Sequence, residues 1–395
     1  MRAACLAIAF APINVKEIVV ESASSVSATI VVKAPMLSHR DLASWFVLGE
    51  SMLAGTRAYT PRALIEFGAQ SGRAPEVRTW ADSMTIQVSA PAGDEGLSVA
   101  TSIALSLATE PSLEDADINA AREICESRQS NRLMRAFVPY DLPWPEATPS
   151  AVRKLYAKTF TRNALQAVLW GKFSANKGRE EVEASAADWN PRPAAYDQDP
   201  TGLRPDSKYR GDVTSLEVRG PQLSSAEEIA SGLIALAGLG GGKSGALFQQ
   251  IRQKERWSYS QEAYIQPGFA GLTPRLIVLF KSTETNRDRA EALKATLNRA
   301  VDAWGDVDLA RMKAMARGAL AGNPVWSPFL LSPSRQPGQN EFDLAAIETA
   351  LAISSATTAE HVREQIEKAD LPTIQAAAKK ILQGSIVQVT GQSAQ

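Results

Sequence analysis

The sequence predicts an α+β fold of two homologous domains, each a mostly antiparallel sheet covered by helices. Three observations carry this. The segments KAPMLSHRDLAS (33–44) and RGPQLSSAEEIAS (219–231) repeat one pattern about 187 residues apart, and each opens a helix. Near the end of each half a helix runs straight into a strand and a glycine: AVRKLYAKTF then ALQAVLWG to Gly171, and TIQAAAKKIL then SIVQVTG to Gly391. Within each half, strands gather in adjacent runs and helices in others, the signature of antiparallel α+β layers. A repeat of nearly two hundred residues is too long for a solenoid unit, so the two copies are separate domains, residues 1–190 and 208–395, joined by a linker at 191–207.

In chain order, MRAACLAIAFAP superficially resembles a signal peptide. It is shorter than such peptides, and Pro12 follows the would-be cleavage site, which favours a first strand. Residues 17–34 read as two strands. A helix opens at Ser38, with Asp41 completing an approximate capping box, and runs to about Gly55. Arg62–Gly72 is the next helix, Thr85–Val88 a strand, and helices follow at Leu97–Leu107 and Asp115–Leu133. Trp189–Ser207, with Pro191, Pro193, Pro200 and Pro205 among polar residues, is extended linker. In the second half Ser224-Ser225-Ala226-Glu227 is a capping box starting a helix that Ile229, Leu233 and Leu236 continue. Gly240, Gly241 and Gly242 then form a loop able to turn sharply and expose its amides. Ser244 is placed to cap a helix carrying Leu247, Phe248 and Ile251. That helix stops near Arg256, because Trp257, Tyr259, Gln261, Ala263 and Ile265 alternate as a strand, which brings Arg252 and Tyr259 close in space. Leu276–Phe280 is a strand, and Ala290–Trp304 an amphipathic helix. The proline-rich piece 323–338 is a surface insertion.

Composition narrows function. The chain has 45% apolar and 22% charged residues, as in an ordinary globular protein, and 395 residues suffice for two full cores. A net charge of -1 gives no electrostatic reason to bind nucleic acid or an anionic membrane. No apolar run is long enough to span a membrane. Cys5 and Cys125 form no metal or redox motif and read as buried thiols.

Two motifs compete for the glycine loop. AGLGGGKS differs from a P-loop only by Ala237 in the first glycine position, with Lys243 as the phosphate-binding lysine. A P-loop follows a buried strand, however, and here a helix precedes the loop. The second motif is Leu239-Gly240-Gly241-Gly242, Ser244, Leu247-Phe248-Gln249-Gln250-Ile251-Arg252 and Tyr259-Ser260. It resembles the carboxy-terminal domain of the insulinase/pitrilysin family, the inverzincins, departing from it at Ala246, where the family usually has an arginine. In two-chain bacterial members, an arginine and a tyrosine at this seven-residue spacing come from the subunit without zinc and complete the partner's active site. The resemblance thus implies catalytic roles for Arg252 and Tyr259 in a partner's site, with Gly240, Gly241, Gly242 and Ser244 as a substrate-binding loop.

The family's zinc motif, H-x-x-E-H, belongs on the helix 38–55. One register puts Ser44, Val47 and Leu48 in its slots and another puts Phe46, Gly49 and Glu50 there. The two histidines, His39 and His361, lie in different repeats, so Glu123 and Glu126 on the helix of the family's third ligand have no partners for a catalytic zinc. The resemblance therefore implies no metal and no cofactor in this chain, zinc in a partner subunit of a heterodimer, a peptide substrate, and a soluble bacterial protein of the cytoplasm or periplasm. It also admits an alternative, an inactive peptide-binding or scaffold protein that kept the fold and lost catalysis.

Overall fold

The computed structural model describes residues 13–34, 37–80, 83–130, 142–187, 189, 213–268, 271–280, 287–322, 340–355 and 357–390. The strand expected within residues 1–12, Cys5, the linker 191–207, the proline-rich piece 323–338 and the last turn of the helix expected to reach Leu133 lie outside the described residues. The chain divides into two compact units, Met1–Cys125 with Leu142–Gly202, and Glu126–Asp141 with Leu203–Gln395.

The first unit is built on β1 (Asn14–Val19), β2 (Ser25–Lys33), β3 (Glu76–Thr79), β4 (Ser83–Pro91) and β5 (Leu165–Gly171), in the sheet order β1-β5-β2-β4-β3. All neighbours are antiparallel except β1, which adds in parallel to β5. Its helices are α1 (His39–Ser51), α2 (Pro61–Ser71), α3 (Asp94–Thr109), α4 (Asp115–Ser130, of which residues 115–125 belong to this unit), α5 (Pro149–Thr159) and α6 (Lys177–Ser185). α3 covers the apolar face of β2 and β4, where Val26, Ala28, Ile30, Met84, Ile86 and Val88 are buried. Ser38 caps α1 by accepting the Asp41 N–H at 3.1 Å. Cys125 is a buried thiol outside any disulfide.

The second unit repeats the plan. β6 (Val213–Arg219), β7 (Ser258–Gly268), β8 (Gly271–Phe280) and β9 (Ser385–Thr390) pair in the order β7-β8-β6-β9, all antiparallel. This is the order β3-β4-β2-β5 of the first unit, the structural counterpart of the sequence repeat. α7 (Ala226–Gly240) runs through the core, with α8 (Arg287–Asp302), α9 (Asp306–Leu320), α10 (Asn340–Ser355), α11 (Ala359–Lys368) and α12 (Leu371–Leu382) around it. α7 is apolar on every side and packs on β7, β8, α9, α11 and α12, as a helix of that pattern must. Ile229, Leu233, Ile234, Leu236 and Leu239 are fully buried, each worth roughly 2 kcal/mol of apolar transfer.

One sequence expectation shifts by a residue. The capping box of α7 is Ser225 with Glu228, not Ser224 with Glu227: Ser225 Oγ accepts the Glu228 N–H at 3.1 Å, and the Glu228 carboxylate accepts the N–H groups of Ser224 and Ser225 at 3.0 and 3.3 Å. The doubled serine makes either register plausible on paper. Packing decides, because Ala226 then turns into the core and Glu227 to solvent. The Ser224 N–H holds the Glu228 carboxyl below its ordinary value of 4.5. A lowered folded pKa gives stability that is present above the ordinary value and drains as pH falls through the folded one. Glu228→Ala is therefore predicted to cost about 1 kcal/mol at neutral pH and progressively less in acid, measured by urea unfolding of parent and variant across that range.

Candidate functional site

The chain leaves α7 through a loop whose glycines are fixed by packing. A Cβ on Gly240 would lie 2.1 Å from the Ala263 methyl of β7, so only glycine lets the helix end approach the strand this closely. Gly242 has space around it but a φ of +59°, a left-handed conformation that favours glycine. The loop's carbonyls are then tied down in turn. Gln249 Nε2 donates to the Lys243 carbonyl at 2.6 Å, and Arg311 Nη1, itself held by Asp308, donates to the Ser244 carbonyl at 2.9 Å. Ser244 does not cap the next helix. Its hydroxyl donates back to the Gly241 carbonyl at 3.0 Å, and Ala246 occupies the cap position without a side-chain bond.

Leu247–Lys254 is a π-helix, Leu247 and Ile251 facing the core. Wide-pitch helices of this kind are rare and concentrate at functional sites. The half-buried Arg252 places its guanidinium 5.1 Å from the centre of the Phe248 ring, a cation–π contact one turn back. The helix closes with the Glu255 N–H on the Gln250 carbonyl at 2.8 Å and the Trp257 N–H on the Ile251 carbonyl at 3.0 Å. Between them Arg256 takes a φ of +55°, left-handed in a non-glycine residue. The chain thus folds back at once into β7, which packs against the π-helix.

Tyr259 follows within β7. Ser258 pairs with Phe280 and Ser260 with Leu279, so Tyr259 is the extra residue of a β-bulge. Its side chain lies outside the described residues. Ser258, fully buried, organises the bulge: its Oγ accepts the Ser260 N–H at 3.1 Å and sits against the carbonyls of Ser260 and Leu279, to one of which it gives its proton. Arg252 and Tyr259 therefore lie on two adjoining elements, separated by a left-handed residue and each within an irregular stretch of backbone.

Sequence reasoning missed Gln249, Ser258 and Arg311 as the residues that position this stretch. Gln249 stands inside the quoted motif and could have been suspected. Nothing local marks Ser258 as a bulge former, and Arg311 reaches the loop from α9.

Where the zinc motif would stand, α1 is core. Ser44, Val47 and Leu48 are buried, and a Cβ on Gly49 would collide with Thr79 Oγ1 at 1.9 Å, so neither register offers a donor set that fits zinc. His39 opens α1, its side chain lying outside the described residues. His361 is exposed on α11, 3.3 Å from Thr357 Oγ1. Glu123 and Glu126 are exposed on α4. Among the described residues no three potential metal-binding side chains come together. The glycine loop follows a helix, as a P-loop does not, and Lys243 is exposed. No helix among the described residues is long and apolar enough to cross a membrane.

Residues 146–322 match the family model described as the Peptidase M16 inactive domain, a stretch that contains the glycine loop, the π-helix and the bulge. No curated protein matches the chain. Among solved structures, a protease from Helicobacter pylori superposes with a TM-score of 0.69 at 12% identity, over 95% of this chain and 96% of that one. A peptidase M16 inactive domain from Pseudomonas fluorescens gives 0.68 at 13%, over 97% of each chain. A chain of complex III2 from Candida albicans gives 0.61 at 16%, over 92% and 90%. These likenesses are of fold, the two-domain α+β architecture of M16 proteins.

Two outcomes follow from this geometry. Gly240→Ala forces α7 and β7 apart and is predicted to lower stability by about 1–3 kcal/mol, against about 1–2 kcal/mol for the strained but uncrowded Gly242→Ala, both read from urea midpoints. The purified chain is predicted to retain no stoichiometric zinc after dialysis, which elemental analysis checks.

Proposed function

We propose that this chain is the non-zinc subunit of an M16, insulinase/pitrilysin-type metallopeptidase and that it lends Arg252 and Tyr259 to the active site of a zinc-bearing partner. The observation that carries the reading is the unusual backbone that brackets the pair: a π-helix under Arg252, a left-handed Arg256, and a bulge at Tyr259. Bulges and π-helices re-aim side chains, and a strained residue persists only where its surroundings hold it. Helix α1, whose motif slots hold Ser44, Val47 and Leu48 or Phe46, Gly49 and Glu50 rather than two histidines and a glutamate, supports the same division of labour.

In this reading the peptide substrate lies along the glycine loop. Gly240, Gly241, Gly242 and Ser244 bring the backbone close to it, with their positions fixed through Gln249 and Arg311. The guanidinium of Arg252 is a fixed cation, and the phenol of Tyr259 a neutral donor. Both suit an oxyanion developing on the scissile carbonyl better than the neutral ground-state oxygen. Activation of the attacking water belongs to the partner. A heterodimer, soluble in a bacterial cytoplasm or periplasm, is the form this implies.

A second reading, an inactive peptide-binding or scaffold protein of the same fold, draws support from the Arg252–Phe248 contact, which already gives the guanidinium a structural use, and from the likeness to a chain of complex III2. The two readings separate in kinetics. In the complex, Arg252→Ala or Tyr259→Phe is predicted to lower kcat by about 10²–10³-fold with KM and melting temperature nearly unchanged, because the contact forms chiefly in the transition state. Turnover within twofold of the parent, or loss of assembly with normal turnover per complex, favours the scaffold.

A further inference from the structure

The sequence motif singled out Lys243, and neither the P-loop reading nor the oxyanion role uses it. Its surroundings suggest a purpose. Lys243 on the loop, Lys254 at the end of the π-helix and Arg256 just beyond are all exposed. Among the described residues, none of the three enters an ion pair. Elsewhere the chain often pairs such cations: Arg40 with Glu146, Arg62 with Glu66, Arg153 with Asp115, Arg317 with Glu367, Lys379 with Asp302. The segment 243–256 carries Lys243, Arg252, Lys254 and Arg256 against one acidic residue, the half-buried Glu255. The bond from Gln249 to the Lys243 carbonyl holds the loop that carries Lys243 beside the start of the π-helix.

We propose that Lys243, Lys254 and Arg256 form a recognition surface for acidic residues of the peptide substrate, making this subunit selective for acidic peptides. The proposal rests on the reading of this face as substrate-facing and names the substrate class. Charges a few ångströms to about 10 Å apart act together on one ligand at ordinary ionic strength. Each exposed contact is worth roughly two- to fivefold in affinity, so three together reach on the order of tens of fold. The extended backbone of a peptide, rather than a polynucleotide, suits a patch of three cations in a chain of net charge -1, which lacks the broad basic surface that nucleic-acid binding uses.

The test uses the purified full chain and fluorescence anisotropy with labelled twelve-residue peptides: four repeats of Glu-Gly-Ala, of Gln-Gly-Ala and of Lys-Gly-Ala, with a twelve-nucleotide oligo(dT) as a non-peptide anion. The glutamate peptide is expected to bind about tenfold or more tighter than the glutamine peptide in 50 mM salt and to lose most of that advantage in 500 mM. Lys254→Glu combined with Lys243→Glu is expected to abolish the preference at unchanged melting temperature, and Arg256→Gln to weaken it a few fold. Equal binding of the glutamate and glutamine peptides, oligo(dT) binding as tight as the glutamate peptide, or a preference that survives the double reversal overturns the proposal. The salt dependence of the parent chain tests it even if a variant folds poorly. If Arg252→Ala cuts turnover in the complex while the isolated chain shows no acidic preference, only this inference falls. An acidic preference with unaffected turnover sinks the catalytic reading instead.

Discussion

The closeness of Gly240 to Ala263 is the constraint on which the rest of the second unit depends. It lets a helix apolar on every side run the length of the core and end directly against an edge strand. The chain must then reverse within a few residues, and the left-handed Gly242 makes the reversal. Everything attached to the loop inherits a defined position: the π-helix that starts after it, the strand that follows, and the carbonyls that Gln249 and Arg311 hold. A larger residue at that contact would move the helix end, and the site would move with it.

The price of this arrangement is strain, and the structure shows how it is contained. Arg256 occupies a left-handed conformation costing about 1–2 kcal/mol for an ordinary residue. The bulge at Tyr259 interrupts the β7–β8 ladder where a regular strand would have kept it. Ser258 compensates with a buried hydroxyl that serves the bulge backbone, while the Trp257 N–H reaches back to Ile251. The first unit has the same strand order and a helix, α2, in the place of the π-helix, yet α2 is regular and ends at the left-handed Gly72. The two copies of one plan have diverged where Arg252 and Tyr259 stand.

Much of the architecture was legible in the sequence because duplication shows twice. The paired openings at Ser38 and Ser224–Ser225, and the paired helix-to-strand endings at Gly171 and Gly391, revealed both domains and their sheet-and-helix character. The parallel addition of β1 to β5 was not legible, since an edge strand's direction depends on partners distant in sequence. The π-helix was hidden because Leu247, Phe248 and Ile251 satisfy an ordinary helical spacing equally well over so few residues. The bulge was hidden because the alternation from Trp257 to Ile265 looks regular until the partner strand is known. Ser244 misled, having the right chemistry for a cap but a nearer acceptor in Gly241. The missing zinc motif, by contrast, was plain from residue types alone.

The central claim is that Arg252 and Tyr259 act in another subunit's active site, and a structure of the complex with a peptide-like phosphinate bound tests it most directly. The account predicts both side-chain donors within about 2.6–3.2 Å of the phosphinate oxygens that stand in for the tetrahedral intermediate. A complex in which the Arg252 guanidinium remains on Phe248, with both residues beyond hydrogen-bond reach of the inhibitor, would contradict it.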